Sequence, residues 1–144
     1  MTIIIAEAGV NHNGDARLAF ELVDAAYNAG ADIVKFQTFK ASKLASGLAA
    51  QAEYQIANTK KQESQIDMLA RLELPYSVYR ELMEYCNSLG IEFLSTAFDS
   101  QSLHFLVHEV GLKRLKLPSG DITNAPLVLQ HAQTGGDIIL STGM

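Results

Sequence analysis

The chain has 144 residues, 48% hydrophobic and 19% charged, with a formal net charge of −5 at pH 7. That fits one domain with a sizeable core and excludes a disordered chain; the acidic balance argues against a general nucleic-acid binder, and no apolar run approaches the roughly 20 residues of a membrane span. The single cysteine, Cys86, forbids an internal disulfide and fits a reducing compartment; with no basic, apolar leader read after Met1, a cytoplasmic location is expected.

Short β-prone runs alternate with amphipathic segments. The first predicted strand is Ile3–Ala8, followed by a polar loop through Asn11-His12-Asn13-Gly14. Leu18, Leu22, Ala25, Ala26 and Ala29 recur at helical spacing and predict a helix over 16–29, with Gly30 as its stop. A second strand is predicted over 32–37. Residues 38–61 read as an irregular segment rich in Ala, Ser, Gln and Lys. Ile66, Leu69 and Leu72 predict a helix over 62–74 that Pro75 ends. Tyr79, Leu82, Met83, Cys86 and Leu89 predict another over 78–89, stopped by Gly90. A strand over 91–96, a helix over 100–110, a strand over 113–117, a helix over 126–134 and a strand over 138–142 complete the pattern.

Such alternation implies an α/β fold with a parallel sheet, because crossover helices join parallel neighbours. Two architectures compete: an open five-stranded sheet, and a (β/α)8 TIM barrel, which needs about 250 residues. The last predicted strand has no helix after it to cover it. The expectation is therefore the N-terminal portion of a TIM barrel, about five strands long and truncated.

Sites of parallel α/β folds lie at the carboxyl ends of the strands, and the unusual polar residues fall there. Glu7 closes strand one. Lys35 and Gln37 share one face of strand two, with Val34 and Phe36 on the other. Ser95, Thr96 and Asp99 follow strand three; Lys116, Ser119, Gly120 and Asp121 mark strand four; Ser141, Thr142 and Gly143 end strand five. A lysine inside a strand is costly to bury without an anionic partner. Lys35 and Lys116, from different strands at similar depth, meet at one spot if the sheet curls. With the hydroxyls of Thr96 and Ser119, they suit a small multiply charged anion such as a phosphate ester bearing a carboxylate.

Each residue also has a plain structural reading. Lys35 can form a buried ion pair with Glu7, and Lys116 can snorkel from an edge strand. Strand-end Ser and Thr are ordinary capping types. His104 and His108, four apart on a helix, are a possible metal pair. With no nearby Glu, Asp or Cys to complete the set, both are read as surface residues. His131 is read as solvated, and Cys86, on an apolar stripe, as core.

Five segments together resemble the N-acetylneuraminate (sialic acid, nonulosonic acid) synthase family. They are Ile4 to Gly14 with its Ala6-Glu7-Ala8-Gly9-Val10-Asn11-His12 run, Val34-Lys35-Phe36-Gln37-Thr38, Leu94-Ser95-Thr96-Ala97-Phe98-Asp99, Lys116-Leu117-Pro118-Ser119-Gly120-Asp121, and Leu140-Ser141-Thr142-Gly143-Met144. The resemblance spans the chain but only the first part of the family's barrel. It implies residues 1–144 as a partial barrel domain, with the later strands and a C-terminal antifreeze-like domain absent.

The resemblance further implies condensation of phosphoenolpyruvate with an N-acetylmannosamine-like amino sugar, giving a nine-carbon 2-keto acid and phosphate. It assigns Lys35, Gln37, Thr96, Lys116 and Ser119 to phosphoenolpyruvate, Asn58 to the sugar, and Glu7 and Asp121 to proton handling, water or sugar. Asp121 stands where relatives often carry Glu, and Ala97 where many carry Pro. A divalent metal, manganese or magnesium, is implied, with its histidine ligands beyond residue 144. A homodimer is implied for the family, while this chain is expected to be inactive alone and prone to self-association at its open sheet edges. Competing readings are a stand-alone module that binds phosphate esters, a structural half of a split barrel, another phosphoenolpyruvate-dependent aldol-type synthase, and an aldolase with Lys35 or Lys116 as a Schiff base.

Overall fold

β-Branched and aromatic residues fill Ile33–Thr38, and that segment is a central strand of the sheet. The computed structural model describes residues 2–44 and 64–143. Among them the strands are Ile5–Gly9 (β1), Ile33–Thr38 (β2), Glu92–Ala97 (β3), Arg114–Leu117 (β4) and Asp137–Leu140 (β5). All neighbours pair in parallel, in the order β1-β2-β3-β4-β5. A doubly wound sheet reverses its strand order at a switch point, whereas a barrel wall adds each strand beside the last. The observed order is that of a barrel wall.

The helices are Ala16–Asn28 (α1), Ala41–Leu44 (α2), Gln65–Leu72 (α3), Tyr76–Leu89 (α4), Ser100–Phe105 (α5) and Ala125–Gln133 (α6). The starts of α1, α3 and α5 are set by short polar side chains that satisfy otherwise orphaned N–H groups, whereas α4 begins after Pro75 with no side-chain cap. Asp15 accepts from Arg17 N at 2.8 Å, Ser64 from Asp67 N at 3.1 Å and Asp99 from Ser102 N at 2.8 Å. Gly90, at φ +79°, ends α4.

Val34 and Phe36, Phe93 and Leu115 leave the sheet on its helical side and are buried there against Val23, Leu82, Cys86 and Phe105. The rings of Phe36 and Phe93 stack with centroids 5.7 Å apart. Burying each such side chain stabilises the fold by about 1.5–3 kcal/mol. Cys86 belongs to this core, and burial pushes its thiol up to about 12.

Several expectations need correction. The buried stripe of α1 is Ala19, Val23 and Ala26; Ala25 and Ala29 are exposed, so the predicted stripe was rotated by about one residue. In α3 the buried residue is Met68, while Ile66, Leu69 and Leu72 are half-buried. The helix expected over 100–110 changes form: α5 gives way to a π-helical turn, Leu106–Val110. His131 is buried, not solvated, because its Nδ1 meets the Leu127 carbonyl at 2.9 Å within α6. β4 lies between β3 and β5, which removes the reading of Lys116 on an edge strand.

Candidate active site at the strand ends

Parallel register decides which side chains share the inner face of the sheet. Glu7 pairs with Lys35, Lys35 with Leu94, Gln37 with Thr96, and Thr96 with Lys116. Register partners point to the same side, so Glu7, Lys35, Gln37, Thr96 and Lys116 line one face, opposite the helical core. Lys35 and Lys116 stand two strands apart and one inward-facing step out of register.

Lys35 is almost wholly covered, its side chain 11% exposed, and its ammonium contacts the Glu7 carboxylate, which is 52% exposed. The ion pair weighed from sequence therefore exists, and it opens toward solvent through Glu7. Lys116 donates to Ser141 Oγ and, at 3.3 Å, to the Leu117 carbonyl. Burial pulls its ammonium below the usual lysine value; the neighbouring Lys35 pulls the same way and Glu7 opposes both. That mutual influence places the three charges within electrostatic reach of one another.

A β-bulge follows Glu7, where the pairing shifts from Glu7 with Lys35 to Gly9 with Phe36. Gly9 has φ +57°, and a Cβ there would lie 3.3 Å from Glu7 Oε1 and 3.6 Å from Gln37 Nε2. The glycine lets both side chains close over the backbone. Thr96 is buried on the same face. Ser119 and Asp121 occupy a single 3-10 turn after β4. Ser119 approaches Gly143 after β5, where a Cβ would lie 3.4 Å from Ser119 Cβ. Six of the expected site residues thus lie along β1 to β4 and the turn after β4, and Asp121 ends that same turn. Asn58 lies outside the described residues.

Cavities of 360–450 Å³ lie between the outer helices, over the loop after β3 and near the lower strand ends, and neither Lys35 nor Lys116 lines them. The inner face is an open wall of the sheet, which such cavities do not describe.

Sequence reasoning missed the residues that hold this face in place. Tyr79 O–H donates to the Gln37 carbonyl at 2.7 Å, tying α4 to the end of β2. Lys40 pairs with Glu73 at 2.6 Å and lies 4.0 Å from the Tyr76 ring centre, and Asp99 accepts from Lys40 N at 2.9 Å. His12, fully buried, accepts from Gly14 N at 3.0 Å, and burial lowers its pKa. A tyrosine on a helical stripe signals packing, and nothing in the stripe announces a hydroxyl aimed at a neighbouring strand. Tyr79→Phe should cost about 1–2 kcal/mol, the loss of a buried hydrogen bond to a carbonyl. Denaturant unfolding of the two chains measures it.

Glu7→Gln gives a second check. Glu7 raises the Lys116 pKa, so its removal should lower that value further below 10.5. Lysine side-chain NMR titration reads the midpoint directly, and an unmoved midpoint contradicts the convergence of the two residues.

A parallel sheet in barrel order, with two lysines and a glutamate on its inner face, defines an α/β-barrel protein with a cationic patch at the strand ends. Residues 22–144 match the NeuB family, and the chain belongs to it. It is 55% identical over 141 residues to an N,N'-diacetyllegionaminic acid synthase of Legionella pneumophila, covering 98% of this chain and 39% of that protein. A Campylobacter jejuni protein of the same name is 50% identical over 143 residues, covering 99% and 42%. The chain thus spans about two fifths of the length of these curated relatives. Among solved structures, the N-acetylneuraminic acid synthetase of Leptospira borgpetersenii superposes with a TM-score of 0.78 at 31% identity, covering 99% of this chain and 46% of that one. Among the described residues no helix is long and apolar enough to cross a membrane.

Proposed function

We propose that this chain carries the phosphoenolpyruvate-binding part of a nonulosonic acid synthase. The observation that carries the reading is the placement of Lys35 and Lys116 on one face with Glu7, Gln37 and Thr96. Two ammonium groups answer the phosphate and carboxylate of phosphoenolpyruvate, and the polar side chains of Gln37, Thr96 and Ser119 complete the donor set. In the reaction the enol carbon attacks the open-chain aldehyde of the amino sugar, forming the C–C bond. Water then adds to the cationic carbon, and phosphate departs with C–O cleavage. In this reading Glu7, which contacts Lys35, takes the proton from that water, Asp121 would meet the sugar or the water, and Asn58 the sugar.

The relatives at 55% and 50% identity are both named for diacetyllegionaminic acid, which supports a diacetamido sugar as the acceptor. The manganese or magnesium expected for the family finds no fit here. Among the described residues no three His, Cys, Asp or Glu side chains cluster, and two lysines face the same space. In this reading the metal takes its ligands from outside this chain, and no step is assigned to it. The lowered pKa of Lys116 favours one second reading, a Schiff-base aldolase; borohydride trapping with a keto acid would leave a covalent Lys116 adduct under that reading and none under ours.

The test is calorimetric titration of the chain with phosphoenolpyruvate, followed by a phosphate-release assay with amino sugar and Mn²⁺. One molecule bound per chain, without turnover by the chain alone, is the expected result. Absence of binding overturns the anion site, and turnover overturns the assignment of the remaining machinery to other residues.

A further inference from the structure

His104 stands in the last turn of α5 and His108 in the π-helical turn that follows. Both are exposed, their ring centres lie 4.5 Å apart and their planes are inclined by 49°. At that separation the two rings can turn a nitrogen each toward one ion, with metal–nitrogen bonds about 2.0–2.1 Å long. The nearest charged neighbour in sequence, Glu109, is occupied by Arg80 and does not compete for the imidazoles. The pair borders a groove of about 420 Å³ between α5 and α6. Leu103 and Val107 line it with apolar surface, and Gln130 and Gln133 bring carboxamides from the α6 side. The groove has room for an ion that keeps part of its water shell, and the carboxamides can accept from that water.

We propose that His104 and His108 form a two-imidazole site for a divalent transition metal, zinc foremost, with nickel and copper as alternatives. Imidazole nitrogen favours these ions, whereas magnesium and manganese prefer oxygen donors. The site lies in the outer helical layer, on the far side of the sheet from Lys35 and Lys116, and does not depend on the proposed synthase reading. Among the described residues no third His, Cys, Asp or Glu completes the set, so water fills the remaining positions, with the groove carboxamides accepting from it. The other two histidines cannot substitute: His12 and His131 are 0% and 1% exposed.

Calorimetry of the intact chain with zinc chloride, with magnesium chloride as the control, tests the proposal. The variants are His104→Gln, His108→Gln and the double replacement, each checked for an unchanged circular dichroism spectrum; the exposed positions make misfolding a minor concern. The expected result is one zinc per chain and no magnesium heat. Each single variant should bind on the order of tenfold or more weakly, and the double variant should not bind. Zinc binding by the double variant at the parent's strength would overturn the site, as would magnesium binding of equal strength.

Discussion

Lys116→Met weakens phosphoenolpyruvate binding to this chain by roughly 10- to 100-fold. The surroundings of the Lys116 ammonium set this loss. The ammonium is half-buried, it shares the inner face of the sheet with Lys35, and its hydrogen bonds go to the neutral Ser141 Oγ and Leu117 carbonyl. Among the described residues no carboxylate touches it; Glu7, which favours its charge, is engaged with Lys35. An anion entering this face therefore supplies the missing counter-charge, and a hydrogen bond to a charged group contributes about 1.5–3 kcal/mol. Methionine keeps the length of the stem and removes only that term. Lys35→Met should weaken binding more, because it deletes one cation and leaves the Glu7 carboxylate facing the ligand unopposed. The two replacements combined should depart from additivity, since both lysines act on one guest. Calorimetric titration of the three variants supplies the numbers, and a Lys116→Met chain that binds like the parent would contradict the assignment.

Gly14→Ala destabilises the fold by about 3 kcal/mol or more, because strain and steric conflict add at one position. Gly14 has φ +78°, and a Cβ there would lie 2.1 Å from the Arg71 carbonyl oxygen. The obstacle is backbone and cannot swing aside. Gly14 also donates its N–H to the buried His12 at 3.0 Å, so any shift opens the turn that leads from β1 into α1. Gly30→Ala is the proper comparison. Gly30 has φ +76° but nothing within 4 Å of its would-be Cβ, so it carries only the left-handed backbone cost, about 1–2 kcal/mol. Denaturant unfolding of both variants separates close approach from backbone strain; equal losses would show that the contact with Arg71 yields easily.

The strands were legible because their two faces differ in kind. In β2, Val34 and Phe36 alternate with Lys35 and Gln37, and period-two alternation of that contrast leaves one register. Lys35 and Gln37 were therefore readable as one face, while the register of β3 and β4 adds Thr96 and Lys116 to it. The phase of α1 was not. Leu18 and Leu22 compete with Ala19 and Val23 for the buried arc, and two adjacent apolar arcs on one helix leave its rotation to the neighbours it packs against. Ala19 and Val23, absent from the predicted stripe, take the buried arc together with Ala26, which belonged to it. His131 was hidden for a different reason: a bond to its own helix, at Leu127, gives one ring nitrogen a partner in the core, and periodicity carries no record of it. The Lys40, Glu73 and Tyr76 cluster joins residues 33 and 36 apart, beyond the reach of any local pattern.

Lysine-selective NMR during titration with phosphoenolpyruvate reads out whether Lys35 and Lys116 hold one anion between them. The side-chain signals of Lys35 and Lys116 should move together along one binding curve that saturates at a single equivalent, while those of Lys43 and Lys113 stay in place. Movement of one without the other, or separate curves for the two, would contradict a shared anion.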